Sequence, residues 1–291
     1  MPHSLPRLKP DPIPQIAPVP EHSAEGRLAE VYDRTKRGLS VPWMGVVAMA
    51  FARYPAFFDR LWTALEPVAA SSVFDEACAS LLTQAEAEAW ALEPSGITAR
   101  LLDIGYAPAE LDEIRACNAV FSPGNMPYLL MAALARLLLE GQDWTGQGPL
   151  PPKGPMGAAQ PPRPALMEPH HADPALSAIY ADLRQVLGLP FVNTDYRAFA
   201  RWPSYFALAW PDLKTAIQRP DYEARVTRVH EASVSIALSL PNVTGLTARD
   251  LQEAAANDSS VAEVLAVVRL FQWLLPGLAV NVGFLRHQLK D

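Results

Sequence analysis

Asp195 is the residue of this chain whose setting most suggests acid–base or nucleophilic chemistry. It stands in Leu189-Pro190-Phe191-Val192-Asn193-Thr194-Asp195-Tyr196-Arg197. Residues 28–65 return without a gap at 176–213, so Tyr32 matches Tyr180, Pro42 matches Pro190, Arg53 matches Arg201, Pro55 matches Pro203, Phe58 matches Phe206 and Trp62 matches Trp210, each pair 148 positions apart. Self-similarity at a fixed offset dictates architecture. Here it also isolates a difference, because the position equivalent to Asp195 is Val47, in a copy that is apolar throughout. A duplicated scaffold with one copy acidified points to a single active site. A helix N-terminus favours an ionised carboxylate, and burying one unpaired costs several kcal/mol. The plainer alternatives for Asp195 are a helix cap or a salt bridge to Arg197 or Arg201.

Asn125 is the second candidate. It lies in Phe121-Ser122-Pro123-Gly124-Asn125-Met126-Pro127-Tyr128, which reads as a polar break between two apolar helices. The matching stretch of the other half puts Leu275 opposite it. Pro-Gly-Asn is ordinary turn chemistry and Asn caps helices well, so a turn is the rival reading. Trp43, mate of Phe191, is either core or the wall of an apolar pocket with an indole N–H to offer an anion. Arg53 and Arg201 occur at the same place in both copies; that favours a structural role at a helix C-terminus, although either could hold a substrate carboxylate by a bidentate contact. His170 and His171 lack a third ligand in view, and no CxxC, HxxxH, GxSxG, GxGxxG or Walker pattern is present. The expectation is therefore no metal and no nucleotide cofactor.

These residues need a frame to hold them. The 291 residues suffice for one large or two medium domains, and half are hydrophobic. A net charge of −7 argues against nucleic acid. No apolar run reaches the roughly 18–20 residues that span a bilayer, and Met1 to Glu25 lacks a signal-peptide pattern. Cys78 and Cys117 read as reduced, buried thiols of a cytoplasmic protein. Two proline-rich stretches, an N-terminal arm over 1–25 and a linker over 146–173, read as extended connections. They flank helical repeats at 26–145 and 174–291. Leu28, Val31, Tyr32 and Thr35 have helical spacing, copied by Leu176, Ile179, Tyr180 and Leu183. Val41–Phe51 and its mate Leu189–Phe199 predict a buried helix with Pro42 or Pro190 in its first turn, which places Asp195 in the second turn. Further helices are predicted at 74–92, 96–104, 108–121 and 126–140, then at 222–239, 247–255, 259–274 and 277–289. The expected fold is all-α, with two tandem helical repeats packed as a pseudo-dimer about a pseudo-two-fold axis.

Three stretches together resemble the group I 2-haloacid dehalogenases, which act on both D and L enantiomers. They are Val41-Pro42-Trp43 with the apolar helix and Tyr54-Pro55; Phe121, Gly124-Asn125 and Tyr128-Leu129-Leu130; and Asp195 with Phe199-Ala200-Arg201-Trp202-Pro203. The resemblance implies an all-α pseudo-dimer with its active site between the repeats, no metal or organic cofactor, and Asp195, Asn125 and Trp43 as catalytic aspartate, water-positioning asparagine and aromatic wall. It differs from the family pattern at Thr194 (serine), Val46 (phenylalanine) and Phe271 (tyrosine). With Trp43, Tyr128 and Arg201, these three make up the expected substrate-binding set. The implied reaction is hydrolysis of D- and L-2-haloacids to 2-hydroxyacids with inversion, by water that Asp195 activates and Asn125 helps hold. Rivals are an ester intermediate on Asp195 and a non-catalytic helical binding protein. The expected partners are the haloacid and water, with no nucleic acid and no membrane; pairing of two chains into a homodimer stays open.

Overall fold

The computed structural model describes residues 5–154 and 163–290. Among these it holds twelve α-helices and one isolated β-bridge, Ser71 with Pro152. The fold is all-α. In the first sequence half the helices are α1 (Gly26–Leu39), α2 (Val46–Phe51), α3 (Pro55–Ala69), α4 (Ser72–Trp90), α5 (Thr98–Asp103) and α6 (Pro108–Leu139). The second half supplies α7 (Pro174–Leu187), α8 (Thr194–Phe199), α9 (Pro203–Ile217), α10 (Tyr222–Ser239), α11 (Ala248–Asp258) and α12 (Val261–Gln288). The bounds of α1, α2 and α3 recur in α7, α8 and α9 at the sequence offset of 148.

Two predicted boundaries are corrected. The helix expected from Val41 starts only at Val46, and its mate starts only at Thr194. Pro42 and Pro190 therefore lie in irregular segments, and Asp195 falls in the first turn of α8 rather than the second. Gly45 is extended at φ −68° and ψ 151° and donates its N–H to the Tyr128 hydroxyl at 2.8 Å, a tertiary bond that takes the place of a helical one. The break expected at Pro123-Gly124-Asn125 is also absent. α6 runs through Pro123 and Pro127, and α12 runs through Pro276. An interior proline removes one i→i−4 bond; a helix of 32 or 28 residues, gripped by packing along its length, survives that loss.

The chain divides into two compact units that do not follow the sequence halves. The first contains Met1–Leu81, Gly124–Pro162 and Arg228–Pro276; the second contains Leu82–Pro123, Arg163–Thr227 and Gly277–Asp291. In the first unit α3 packs on α1 and on α11 from the later half. The α3 N-terminus has no side-chain cap of its own, and Asp258 at the end of α11 supplies one, accepting the N–H groups of Ala56 and Phe57 at 3.1 and 2.8 Å. Phe51, Phe57, Phe58, Leu61 and Trp62 form the dry centre of this unit. In the second unit α9 packs on α7 and α8, and the Tyr205 N–H at its start donates to the hydroxyl of Tyr106, just after α5. Phe199, Tyr205, Phe206 and Leu213 are fully buried there.

The N-terminal arm is extended apart from a short turn at Glu21–Ser23 and is fastened to the first unit. Tyr32 donates to the Val19 carbonyl at 2.7 Å, Arg136 to the Pro6 carbonyl at 2.9 Å, and Arg7 to the Trp273 carbonyl at 2.9 Å. Pro2 of the arm and linker residues 155–162 lie outside the described residues. Cys78 and Cys117 are free thiols, half-buried rather than fully buried, and desolvation pushes both up to about 12. α12 is long and apolar enough to cross a membrane, with mean hydropathy 1.5 over its best stretch. Most of that stretch is buried in the protein, as in a core helix.

Candidate active site

In the second unit, Asn193 precedes α8, and Thr194 and Asp195 form its first turn. Asp195 is only 4% exposed. The N-terminal end of a helix presents unbonded N–H groups and a partial positive charge, both of which favour a carboxylate. The two arginines that spacing offered as partners are engaged elsewhere. Arg197 donates to Glu168 at 2.7 Å and to the Thr194 hydroxyl at 3.2 Å. Arg201 pairs with Glu113 at 3.7 Å, lies over the Trp202 ring and leaves its head half in solvent. It bonds no helix-end carbonyl that the geometry shows, and its exposure sets it apart from the buried Asp195. The half-buried Cys117 of α6 shares the neighbourhood. Desolvation chiefly raises its thiol, the Asp195 charge raises it further, and Arg201 lowers it.

Asn193 was missed by the sequence reasoning. Its side chain makes no capping bond, although Asn is a preferred cap. Its Oδ1 is buried without a hydrogen-bond partner. Leaving such an acceptor unbonded costs about 1–3 kcal/mol. The signal was present in the repeat: Gly45-Val46-Val47 becomes Asn193-Thr194-Asp195, three successive apolar positions turned polar.

In the first unit, Tyr128 organises the other candidates. Its hydroxyl accepts the Gly45 N–H and donates to the Trp43 carbonyl at 3.5 Å. Burial drives its phenol far above the usual range, so the hydroxyl stays protonated. The backbone of Gly45 lies against the ring, and a Cβ there would sit 2.6 Å from Tyr128 Cζ. This close approach pins the segment that carries Trp43 and Val46, both half-buried. Asn125 is buried at 9% exposure inside α6, three residues before Tyr128 and on the same face. The turn-and-cap reading of Asn125 falls with the continuity of that helix. Phe271 on α12 is buried and meets Phe51 edge-on at 6.0 Å. The first unit thus gathers Trp43 and Tyr128 directly and holds Val46, Asn125 and Phe271 on the elements around them; the second gathers Thr194 and Asp195, with Arg201 at its surface. Among the described residues no group of three or more His, Cys, Asp or Glu converges as a metal site would.

No family model matches the chain. It is 46% identical to an (R)-2-haloacid dehalogenase of Rhizobium sp. (strain NHG3), over 82% of this chain and 93% of that protein. It is 36% identical to an (R)-2-haloacid dehalogenase of Pseudomonas putida, over 94% and 92%. A configuration-inverting 2-haloacid dehalogenase of Pseudomonas sp. (strain 113) matches at 22% identity over 91% and 88%. Among solved structures, a complex of D-2-haloacid dehalogenase with L-LA superposes with a TM-score of 0.87 at 34% identity, covering 97% of this chain and 99% of that one. A mutant of D-2-haloacid dehalogenase with D-2-CPA gives 0.85 at 34% identity, covering 95% and 97%. With identity of this order sustained across nearly the whole length, the chain belongs to the 2-haloacid dehalogenase family, hydrolases that act on carbon–halogen bonds.

Proposed function

We propose that this chain hydrolyses D-2-haloacids to L-2-hydroxyacids, with Asp195 as general base on the attacking water and Asn125 as the amide that helps hold that water. The observation that carries this reading is Asp195 itself: a buried carboxylate on the first turn of α8, where the repeat has Val47. Water deprotonated by Asp195 attacks C2 from behind the carbon–halogen bond, the C2–O bond forms, halide departs with the bonding pair, and the centre inverts. Positioned general-base help is worth about 10²–10⁴-fold, and orienting the water adds an entropic share. The unpartnered acceptor on Asn193, two residues before the base, suits a hydrogen of the attacking water. Trp43, Val46, Tyr128 and Phe271 supply the apolar and aromatic surface for the rest of the substrate, and Thr194 a hydroxyl beside the base. Arg201 is a weak candidate for the substrate carboxylate, because its head is solvated and paired.

The D preference follows the (R)-specific relatives. Inversion is supported by the structural neighbour, whose ligands L-LA and D-2-CPA carry opposite configuration labels, as the product and substrate of an inverting enzyme do. Action on both enantiomers is the second reading. Its support is the configuration-inverting relative at 22% identity, whose name specifies no enantiomer.

The test is halide release from D- and L-2-chloropropionate, with Asp195→Asn alongside. The D substrate alone should turn over readily, giving L-lactate, and Asp195→Asn should lose at least about 10³-fold in kcat with its fold kept. Comparable rates on both enantiomers select the second reading. Activity in Asp195→Asn within about tenfold of the parent removes the base assignment. Single-turnover hydrolysis in ¹⁸O-water should label the hydroxyacid directly; label in Asp195 would reveal an ester.

A further inference from the structure

Asp195 and Tyr196 are consecutive on a helix of only six residues. So short a helix is not held by its own backbone bonds. Its pitch, and with it the aim of the Asp195 carboxylate, depends on what its other side chains grip. Tyr196 is completely buried and packs against Phe206 at 6.4 Å. Its hydroxyl accepts Nδ2–H of Asn281 on α12 at 3.0 Å, and Asn281 Oδ1 accepts the Tyr222 hydroxyl of α10 at 2.8 Å. All of these groups belong to the second unit.

The repeat shows that structure alone does not require this trio. At the offset of 148 that relates Asp195 to Val47, Tyr196 corresponds to Ala48 and Tyr222 to Phe74. At the offset of 150 that relates Phe271 to Phe121, Asn281 corresponds to Met131. Ala48, Phe74 and Met131 are all buried apolar residues. The copy with a carboxylate has a hydrogen-bonded polar core beside it, and the copy with a valine has a hydrocarbon core. Buried polar networks specify a unique arrangement when fully satisfied, and a hydrocarbon core packs the same space without directional bonds.

We propose that Tyr196, Asn281 and Tyr222 are positioning residues for Asp195, a directional network that locks α8 in the pitch at which the carboxylate meets the attacking water. This rests on the reading of Asp195 as the base. Burial, then Tyr222 and the Asp195 charge, push the Tyr196 phenol far up, so it stays neutral and acts through its hydrogen bond rather than by transferring a proton.

The experiment uses the full chain and halide release from D-2-chloropropionate. Tyr196→Phe, Tyr222→Phe and Asn281→Met (the last installing the residue of the other copy) are compared with the parent. Misplacing a reacting group by about 1 Å costs about 10²-fold. Tyr196→Phe and Asn281→Met should therefore lower kcat about 10- to 100-fold while KM stays within about threefold. The double variant Tyr196→Phe/Asn281→Met should be no slower than its worse parent, because the residues act as one device. Folded Tyr196→Phe and Tyr222→Phe variants with kcat within about twofold of the parent, or losses that multiply in the double variant, overturn the proposal. If Asn281→Met does not fold, the two Tyr→Phe variants decide, since each removes one hydroxyl. Asp195→Asn separates the two levels. Dead Asp195→Asn with fully active network variants sinks this proposal alone, whereas active Asp195→Asn sinks the base assignment and this proposal with it.

Discussion

Replacing His230 should flatten the acid limb of this protein's stability. His230 on α10 is 1% exposed. Its ring lies in a directional chain: Arg136 donates to Gln272 Oε1, the Gln272 amide N–H faces His230 Nδ1, and His230 Nε2 meets the Leu5 carbonyl at 2.5 Å. A neutral ring with its proton on Nε2 satisfies every member. A second proton on Nδ1 would oppose the Gln272 amide donor, and flipping that amide would set its donors against Arg136 instead. Desolvation accordingly lowers the His230 pKa from 6.5 to about 4; the Leu5 carbonyl opposes the shift, while Arg136 and Arg7 reinforce it. The unfolded chain binds a proton here near pH 6.5, and the folded chain only near pH 4. Stability from this site is complete above pH 6.5, falls as pH drops through that window, and is gone below about 4. The gap corresponds to about 3 kcal/mol at about 1.4 kcal/mol per pH unit. The assay is the denaturant midpoint of parent and His230→Gln at pH 7.5, 6.5, 5.5 and 4.5. The parent should lose most of those roughly 3 kcal/mol more than the variant across the series. Parallel curves would refute the argument, whatever the variant's starting stability.

Three further outcomes are expected. Asn125→Ala should reduce kcat by about 10²-fold or more with unchanged circular dichroism, because alanine suits the middle of a continuous helix; loss of helix content would return Asn125 to a structural role. Asn193→Ala removes an unpartnered buried acceptor, so the melting temperature should hold or rise while kcat/KM falls; a marked loss of stability would show that the oxygen is bonded within the fold. Gly45→Ala drives a methyl into Tyr128, so it should destabilise by about 1–3 kcal/mol, and Gly45→Ala/Tyr128→Phe should not relieve it, since the ring rather than the hydroxyl is struck.

Much of the fold was legible because apolar spacing and prolines carry local information. α10 occupies the predicted 222–239, and α1 and α7 follow the repeated 3.6-residue pattern. Local rules failed where tertiary packing overrode them. Pro123 and Pro276 read as stops, yet long buried helices pass through them. Val41–Gly45 reads as helix, yet the Tyr128 hydroxyl claims its backbone. Asp195 was legible by contrast with Val47. Asn193 carried the same contrast with Gly45, but the burial of its side-chain oxygen is a tertiary property that spacing does not show. Nothing in a repeat tells which copy a hydrophobic face will meet, so the pairing of α3 with α11 was invisible in the pattern.

That pairing bears on biosynthesis. The first unit opens with the N-terminal arm but cannot close until α11 and the early turns of α12, as far as Pro276, have left the ribosome. Until then the face of α3 that packs on α11 is uncovered, so a stalled or truncated product should be held by chaperones or aggregate rather than persist as a stable half.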